Sequence, residues 1–338
     1  MLQRVRSSQW IRIALLVVIL CFCGYGLATE WPRVVPVLGE LHWYSVAASA
    51  VAAAAAAGCM MLAWRTLLAD LGSPLPVLVA ARVTFVAQLG KYVPGAIWSF
   101  AAHIELGHDY QVPRRRGAAS VLMALAVAAG TGLLISAVTL PLAAPAAARH
   151  YRFLLFAIPL IAVCLLPKVM HRLLNVALRV VRQQPLERPV SWRGLGIALA
   201  WTLLGWLLLG LQASFLLADV TSAGPRTWLL GIGAYTLACT LALLVVVAPN
   251  GIGAREVVLV AALAPVLPAS TALAVALVAR LMTTLSDLAW GAFGLALKRH
   301  ARASTAAALA SPAGQPVTPV PLIHQAGKHR KTARSLVP

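Results

Sequence analysis

The sequence predicts an all-α fold, a polytopic transmembrane helical bundle of about eight spans with one re-entrant, broken-helix element. Three observations carry that expectation. Of the 338 residues, 61% are hydrophobic and only 11% charged, with a mean hydropathy of +0.84, whereas a soluble domain is near a quarter charged. Apolar runs approaching the roughly 20 residues that a membrane helix needs recur along the whole chain. Two of those runs are broken by Pro and Gly, at "QLGKYVPGAIWSF" (88–100) and "APNGIGAREVVLV" (248–260).

The elements follow in order. Ile13 to Ala28 is the first span, preceded by Arg4, Arg6 and Arg12. It has the look of a signal peptide, but a polytopic chain behind it favours an uncleaved helix. Glu30, Arg33 and Glu40 form a short outer loop, and Tyr44 to Trp64 returns between the interfacial anchors Trp43 and Trp64. Pro76 to His103 has basic residues beyond both ends, Arg65 before it and Arg114, Arg115 and Arg116 after it. A straight span cannot begin and end on one side. A hairpin broken at Pro94-Gly95 can, provided its non-helical backbone faces protein or a wet cavity. Ala118 to Leu140 then runs outward and Phe153 to Pro167 returns. A strongly basic loop follows, with Lys168, Arg172, Arg179, Arg182, Arg188 and Arg193 against Glu187 alone. Leu195 to Leu217 goes out, Trp228 to Ala248 returns, and Pro249 to Glu256 is a Gly-rich interruption. Val257 to Leu267 is short for a span, and Thr271 to Leu297 is the last long helix, stopped by Lys298, Arg299 and Arg302.

Residues 1–302 are therefore expected to form the membrane domain and 303–338 a disordered basic cytoplasmic tail, rich in Ala, Pro, Ser and Thr. The net charge of +19 is concentrated between spans and in that tail. It reads as positive-inside topology and attraction to anionic lipid, with no nucleic-acid partner. Both termini are expected in the cytoplasm. Cys21, Cys23, Cys59, Cys164 and Cys239 all lie in apolar segments and act there as small hydrophobes.

No nucleophile motif, zinc-protease motif or phosphate loop is present. The chain is not expected to be an enzyme, and no catalytic residue or cofactor is expected. "HIELGHD" gathers His103, Glu105, His108 and Asp109, but the spacing fits no metal site, and an interfacial polar stretch accounts for it.

Function is sought instead at the breaks. Interrupted hydrophobic segments in each half of a chain point to a substrate site in repeat-built transporters. A helix that restarts in the membrane offers free N–H groups to an anion. Asn250 is a natural cap, Gly251 and Gly253 admit a headgroup, and Arg255 is a bidentate phosphate donor. The competing reading is an ordinary tight turn at the surface, with Arg255 snorkelling. Arg280 and Asp287 are intramembrane charges seven positions apart on one face of the last helix. Arg280 could also pair with Glu256, and a purely structural ion pair is the alternative.

The stretches "LGKYVPGAIW", "YQVPRRRGAAS", "PNGIGAREVVLV" and "ARLMTTLSDLAWGAFG" together resemble the lysylphosphatidylglycerol synthase transmembrane family of flippase-like proteins, over roughly residues 10–300. Its "KY-x-PG" pattern falls on Lys91, Tyr92, Pro94 and Gly95. Its "PGG-x-G-x-RE" pattern falls on Pro249, Asn250, Gly251, Gly253, Arg255 and Glu256, with Asn250 in place of a glycine, and its late arginine falls on Arg280. A glutamate that members carry shortly after the segment matching Ser120 is missing from "SVLMALAV". The resemblance implies the membrane part alone, without an appended aminoacyl-transferase domain.

The expected function is lipid-flippase-like translocation, in a bacterial inner membrane, of an anionic phospholipid or a lipid-linked glycan between leaflets. The expected site comprises Gln88, Lys91, Tyr92, Pro94, Gly95, Asn250, Gly251, Gly253, Arg255, Glu256, Arg280 and Asp287. Lys91, Arg255 and Arg280 would meet the phosphate, while Glu256 and Asp287 balance charge. The alternative is a non-transporting scaffold for an envelope glycosyltransferase or lipid synthase.

Overall fold

The computed structural model describes residues 39–92, 97–143, 161–180, 190–244, 254–264 and 266–310, with isolated positions at 32, 35, 36, 158 and 159. Its described residues are helical, with no strand among them. Met1–Lys298 forms one compact unit and Arg299–Pro338 a second. Among the described residues, five helices are long and apolar enough to cross a membrane: Trp43–Asp70, Arg114–Ala143, Trp192–Val220, Pro225–Leu243 and Thr271–Leu297. The first expected span, Ile13 to Ala28, lies outside the described residues, as does most of the return between Phe153 and Pro167.

Helices α1 (Trp43–Asp70) and α6 (Trp192–Val220) pack against one another along their length. An alanine-rich run makes α1 a strong helix former, and the same small side chains let a neighbour approach closely. Ser49, Ala52, Ala53 and Ala56 are buried along it. On the facing helix, a Cβ at Gly205 would stand 3.4 Å from the Ala56 carbonyl.

The two helices are antiparallel and cap one another. Asp219, near the end of α6, accepts from the His42 backbone N–H at 2.9 Å and from the Ser45 hydroxyl at 3.0 Å, at the start of α1. Asp70, the last residue of α1, accepts from the Ser191 backbone N–H at 2.8 Å and from its hydroxyl, at the start of α6. These carboxylates satisfy donors that a helix leaves open at its N-terminus. The reciprocity is written in the sequence, because "LLADLGSPLP" (67–76) recurs as "LLADVTSAGP" (216–225). The shared LLAD-x-x-S-x-x-P ends a spanning helix, supplies the capping Asp and opens the next helix at Pro76 or Pro225.

The halves after this motif match in order and oppose in direction. Following α1, α2 (Val77–Gln88) enters from the Asp70 end, tightens into a 3-10 turn at Leu89–Tyr92, and is answered by α3 (Ile97–His108) returning to that end. The chains cross at Gly90, where a Cβ would lie 2.9 Å from the Ser99 backbone. Only glycine fits there. Helix α4 (Arg114–Ala143) then crosses to the Asp219 end. Following α6, α7 (Pro225–Leu244) enters from the Asp219 end, α8 (Ala254–Leu263) packs back against it, and α9 (Ala269–Ala310) crosses towards the Asp70 end. This is an inverted-topology repeat. The packing is also reciprocal. Gly132 and Gly233 of α4 and α7 sit against Thr240 and Leu140, while Gly291 of α9 sits against Leu89 and Phe85 stacks on Trp290 at 4.4 Å.

Pro225–Leu243 is long and apolar enough to cross, as expected of Trp228 to Ala248, and α8, about 15 Å long and covering only half a membrane, packs back against it. One feature differs from the sequence expectation. The basic stretch after Lys168 reads as a loop, yet Pro167–Val180 is a helix, α5, since its apolar residues recur at helical spacing. Arg116, which donates to the Gly72 carbonyl at 3.0 Å, and Met170 and Leu174, which pack with Leu71 and Leu195, place α5 and the Arg114–Arg116 cluster at the same end of the bundle.

Candidate functional site

Described residues of both hairpins line one cavity of about 610 Å³ in the bundle. Its wall takes residues from all the spanning helices and from both hairpins, among them Gln88 and Lys91 from the first and Arg255 from the second. Pro94, Gly95, Asn250, Gly251 and Gly253 lie outside the described residues. Lys91 and Arg255, the nearest of the described site residues to those segments in sequence, both line the cavity.

The charges are arranged in two layers. Nearer the Asp70 end, the Lys91 ammonium lies 2.6 Å from Asp287 Oδ2, and the buried Tyr92 hydroxyl donates to the same oxygen at 2.7 Å. Gln88 Oε1 sits 3.5 Å from Lys91 Nζ. Nearer the Asp219 end, Arg280 meets Glu256 at 2.5 Å. Arg280 and Asp287 thus take separate partners. Their seven-residue separation puts the layers about 10 Å apart along α9. Arg280 enters about 16 Å into that helix, so the charges lie at mid-depth rather than at a surface.

Arg255 differs from the other two cations. Its guanidinium stands 4.5 Å from the centroid of the Tyr235 ring and donates to the Tyr235 hydroxyl. Among the described residues, no carboxylate lies within ion-pair distance of it. Tyr235 is fully buried and is itself held by the Ala279 carbonyl at 3.5 Å, which also accepts from the buried Gln212 at 2.5 Å. With Lys91, Arg255 and Arg280 against Glu256 and Asp287, three cations face two anions. One positive charge is left over, and it rests on a neutral phenol. A guanidinium so placed can donate two parallel hydrogen bonds to one anionic group.

Other residues contribute that the sequence reading did not select. His103 lines the cavity, with its Nε2 buried and unpartnered and its ring packed edge-on against Trp64 at 4.3 Å. The rest of "HIELGHD" is dispersed: Glu105 pairs with Arg114 at 2.9 Å, and His108 faces the Val112 carbonyl at 3.4 Å. After Ser120, where the resemblance implies a glutamate, Val121, Leu122 and Leu125 present an apolar wall. Tyr235 and Gln212 carry no local motif. Only their polarity inside apolar helices signals them.

The model of the lysylphosphatidylglycerol synthase transmembrane region matches residues 9–291. The chain belongs to that family. No match is found among curated proteins. Membership makes this a multi-pass membrane protein of a lipid-related family. Within the family region lie both hairpins, the capping repeat and every charged residue of the cavity.

Proposed function

We propose that this protein translocates an anionic phospholipid or a lipid-linked glycan between the leaflets of a bacterial inner membrane, with no chemical step of its own. The observation that carries this reading is Arg255: a mid-depth cation without a carboxylate partner, on the wall of a cavity between two oppositely entering hairpins. Intramembrane charge is costly and marks substrate pathways. Inverted repeats that meet at mid-membrane are the usual architecture of alternating access. In this reading the lipid phosphate binds Arg255, and the two ion pairs supply cations that exchange partners as the phosphate passes. The Arg114–Arg116 end faces the cytoplasm, and both termini lie there.

The test is lipid movement in proteoliposomes, read as protection of fluorescent headgroups from a membrane-impermeant reductant. The wild-type protein is expected to expose labelled phosphatidylglycerol, and Arg255→Gln to slow it at least tenfold while melting normally. Equal rates for wild type, Arg255→Gln and empty vesicles for every anionic lipid offered would reject translocation. The scaffold reading, in which the protein supports an envelope enzyme, would then replace it.

A further inference from the structure

A second cavity adjoins the charged one, and its chemistry is different. About 380 Å³ in volume, it runs along α4 from Leu122 to Leu133, beneath the segment 161–165 and helix α5. All of its lining residues are apolar. From Leu122 to Leu133 along α4 is about 16 Å, which makes the cavity a slot rather than a bowl. Gly130 keeps it open on one side, since a Cβ there would stand 3.1 Å from Ile161. Leu122 also lines the central cavity, so the two spaces share a wall.

The helix over this slot has three faces. Met170 and Leu174 are 3% and 4% exposed and pack on Met123 and Val127. Leu173 and Val176 are 51% and 57% exposed, although they are apolar. Lys168 and Arg172, one turn apart, form an exposed basic stripe. At 100° per residue these faces point in three directions. One meets the protein, and the other two, one apolar and one basic, are exposed, which is the pattern of a helix lying in the plane of a membrane interface. Beside the basic stripe, Asn175 Nδ2 donates to His171 Nε2 at 3.0 Å. His171 Nδ1 is buried and has no hydrogen-bond partner among the described residues.

We propose that this slot and helix form a binding site for one anionic phospholipid, with an acyl chain between α4 and α5 and the phosphate on Lys168, Arg172 and His171. The charge of the stripe selects the headgroup, and the length and dryness of the slot select the chain. The site does not depend on the transport reading, for a protein that never moved lipid could still hold this one.

The experiment uses the full chain in phosphatidylcholine vesicles carrying a trace of lipid with a photoactivatable acyl chain, either phosphatidylglycerol or phosphatidylcholine. Cross-linked peptides are mapped by mass spectrometry. Phosphatidylglycerol is expected to label residues 126–133 and 161–174 several-fold more than phosphatidylcholine, since a basic side chain near an anionic surface contributes on the order of fivefold. Lys168→Glu with Arg172→Glu, both exposed, should abolish that preference without lowering Tm. Ala129→Trp should reduce labelling of the slot by either lipid, and Ala126→Leu serves the same purpose should the larger residue disturb folding. Equal labelling by both lipids in the wild type, or a preference unchanged by the charge reversals, would mean ordinary annular lipid and would overturn the site.

Discussion

Arg280 and Glu256 allow the balance of charge in the bundle to be tested quantitatively. The perturbation is Arg280→Leu alone, then together with Glu256→Leu. The pair is 2.5 Å apart, with side chains 22% and 12% exposed, so solvent screens it little. A nitrogen–oxygen contact of this kind puts the charge centres about 4 Å apart, which corresponds to about 4 kcal/mol at an effective dielectric of 20. Arg280→Leu removes that attraction and leaves the Glu256 carboxylate desolvated, and breaking a buried pair from one side typically costs about 3–5 kcal/mol. Removing both charges costs far less, because the desolvation penalty disappears with them. A double-mutant cycle should therefore show a coupling of about 3 kcal/mol or more. The assay is thermal unfolding in nanodiscs, where Arg280→Leu should lower Tm by on the order of 5–10 °C and the double variant should recover most of it. If the single variant melts like wild type, or the double variant falls further than the single, Arg280 is not compensated by Glu256 and the two-layer description is wrong. Transport separates the roles further. A double variant that is stable but inactive assigns Arg280 to the substrate path, and one that is stable and active assigns it to packing.

Three other outcomes follow from the same geometry. Asp70→Ala and Asp219→Ala each remove a helix cap and should each cost about 1 kcal/mol; lying at opposite ends of α1, they should add within about 0.5 kcal/mol, which denaturant titration of the double variant checks. Gly132→Ala presses a methyl group into Thr240 and Trp206 and should destabilise by about 1–3 kcal/mol, with partial rescue by Thr240→Ala measured as recovery of Tm. Cysteines placed at Arg115 and at Thr227, in a background lacking the native ones, should react with impermeant maleimide from opposite sides of the membrane; labelling from one side would contradict the antiparallel placement of the two hairpins.

How far the sequence reveals this structure depends on whether a signal is local or relational. The break at Pro94-Gly95 and the basic flanks of Pro76 to His103 are local, and the hairpin of α2 and α3 follows from them. The second hairpin does not. Pro225 to Leu244 is long enough and apolar enough to cross, and hydropathy alone cannot show that α8 starts halfway along it beside Tyr235. The information was present in another form, as the recurrence of LLAD-x-x-S-x-x-P at 67–76 and 216–225. Once those segments are placed in register, the re-entrant helix that follows one Pro implies a counterpart after the other. The ion pairs were half legible. Five charged side chains inside apolar helices had to find partners, but periodicity put Arg280 and Asp287 on one face and said nothing of depth. The pairing of Arg280 with Glu256 and of Lys91 with Asp287 depends on where the hairpins end. Tyr235 was the least legible residue of all, because a tyrosine in an apolar helix is ordinary until a guanidinium is seen on its ring. Its consequence is chemical. A carboxylate at that position would close the third ion pair and leave the cavity neutral, whereas a phenol holds Arg255 in place and leaves its charge available to an anion.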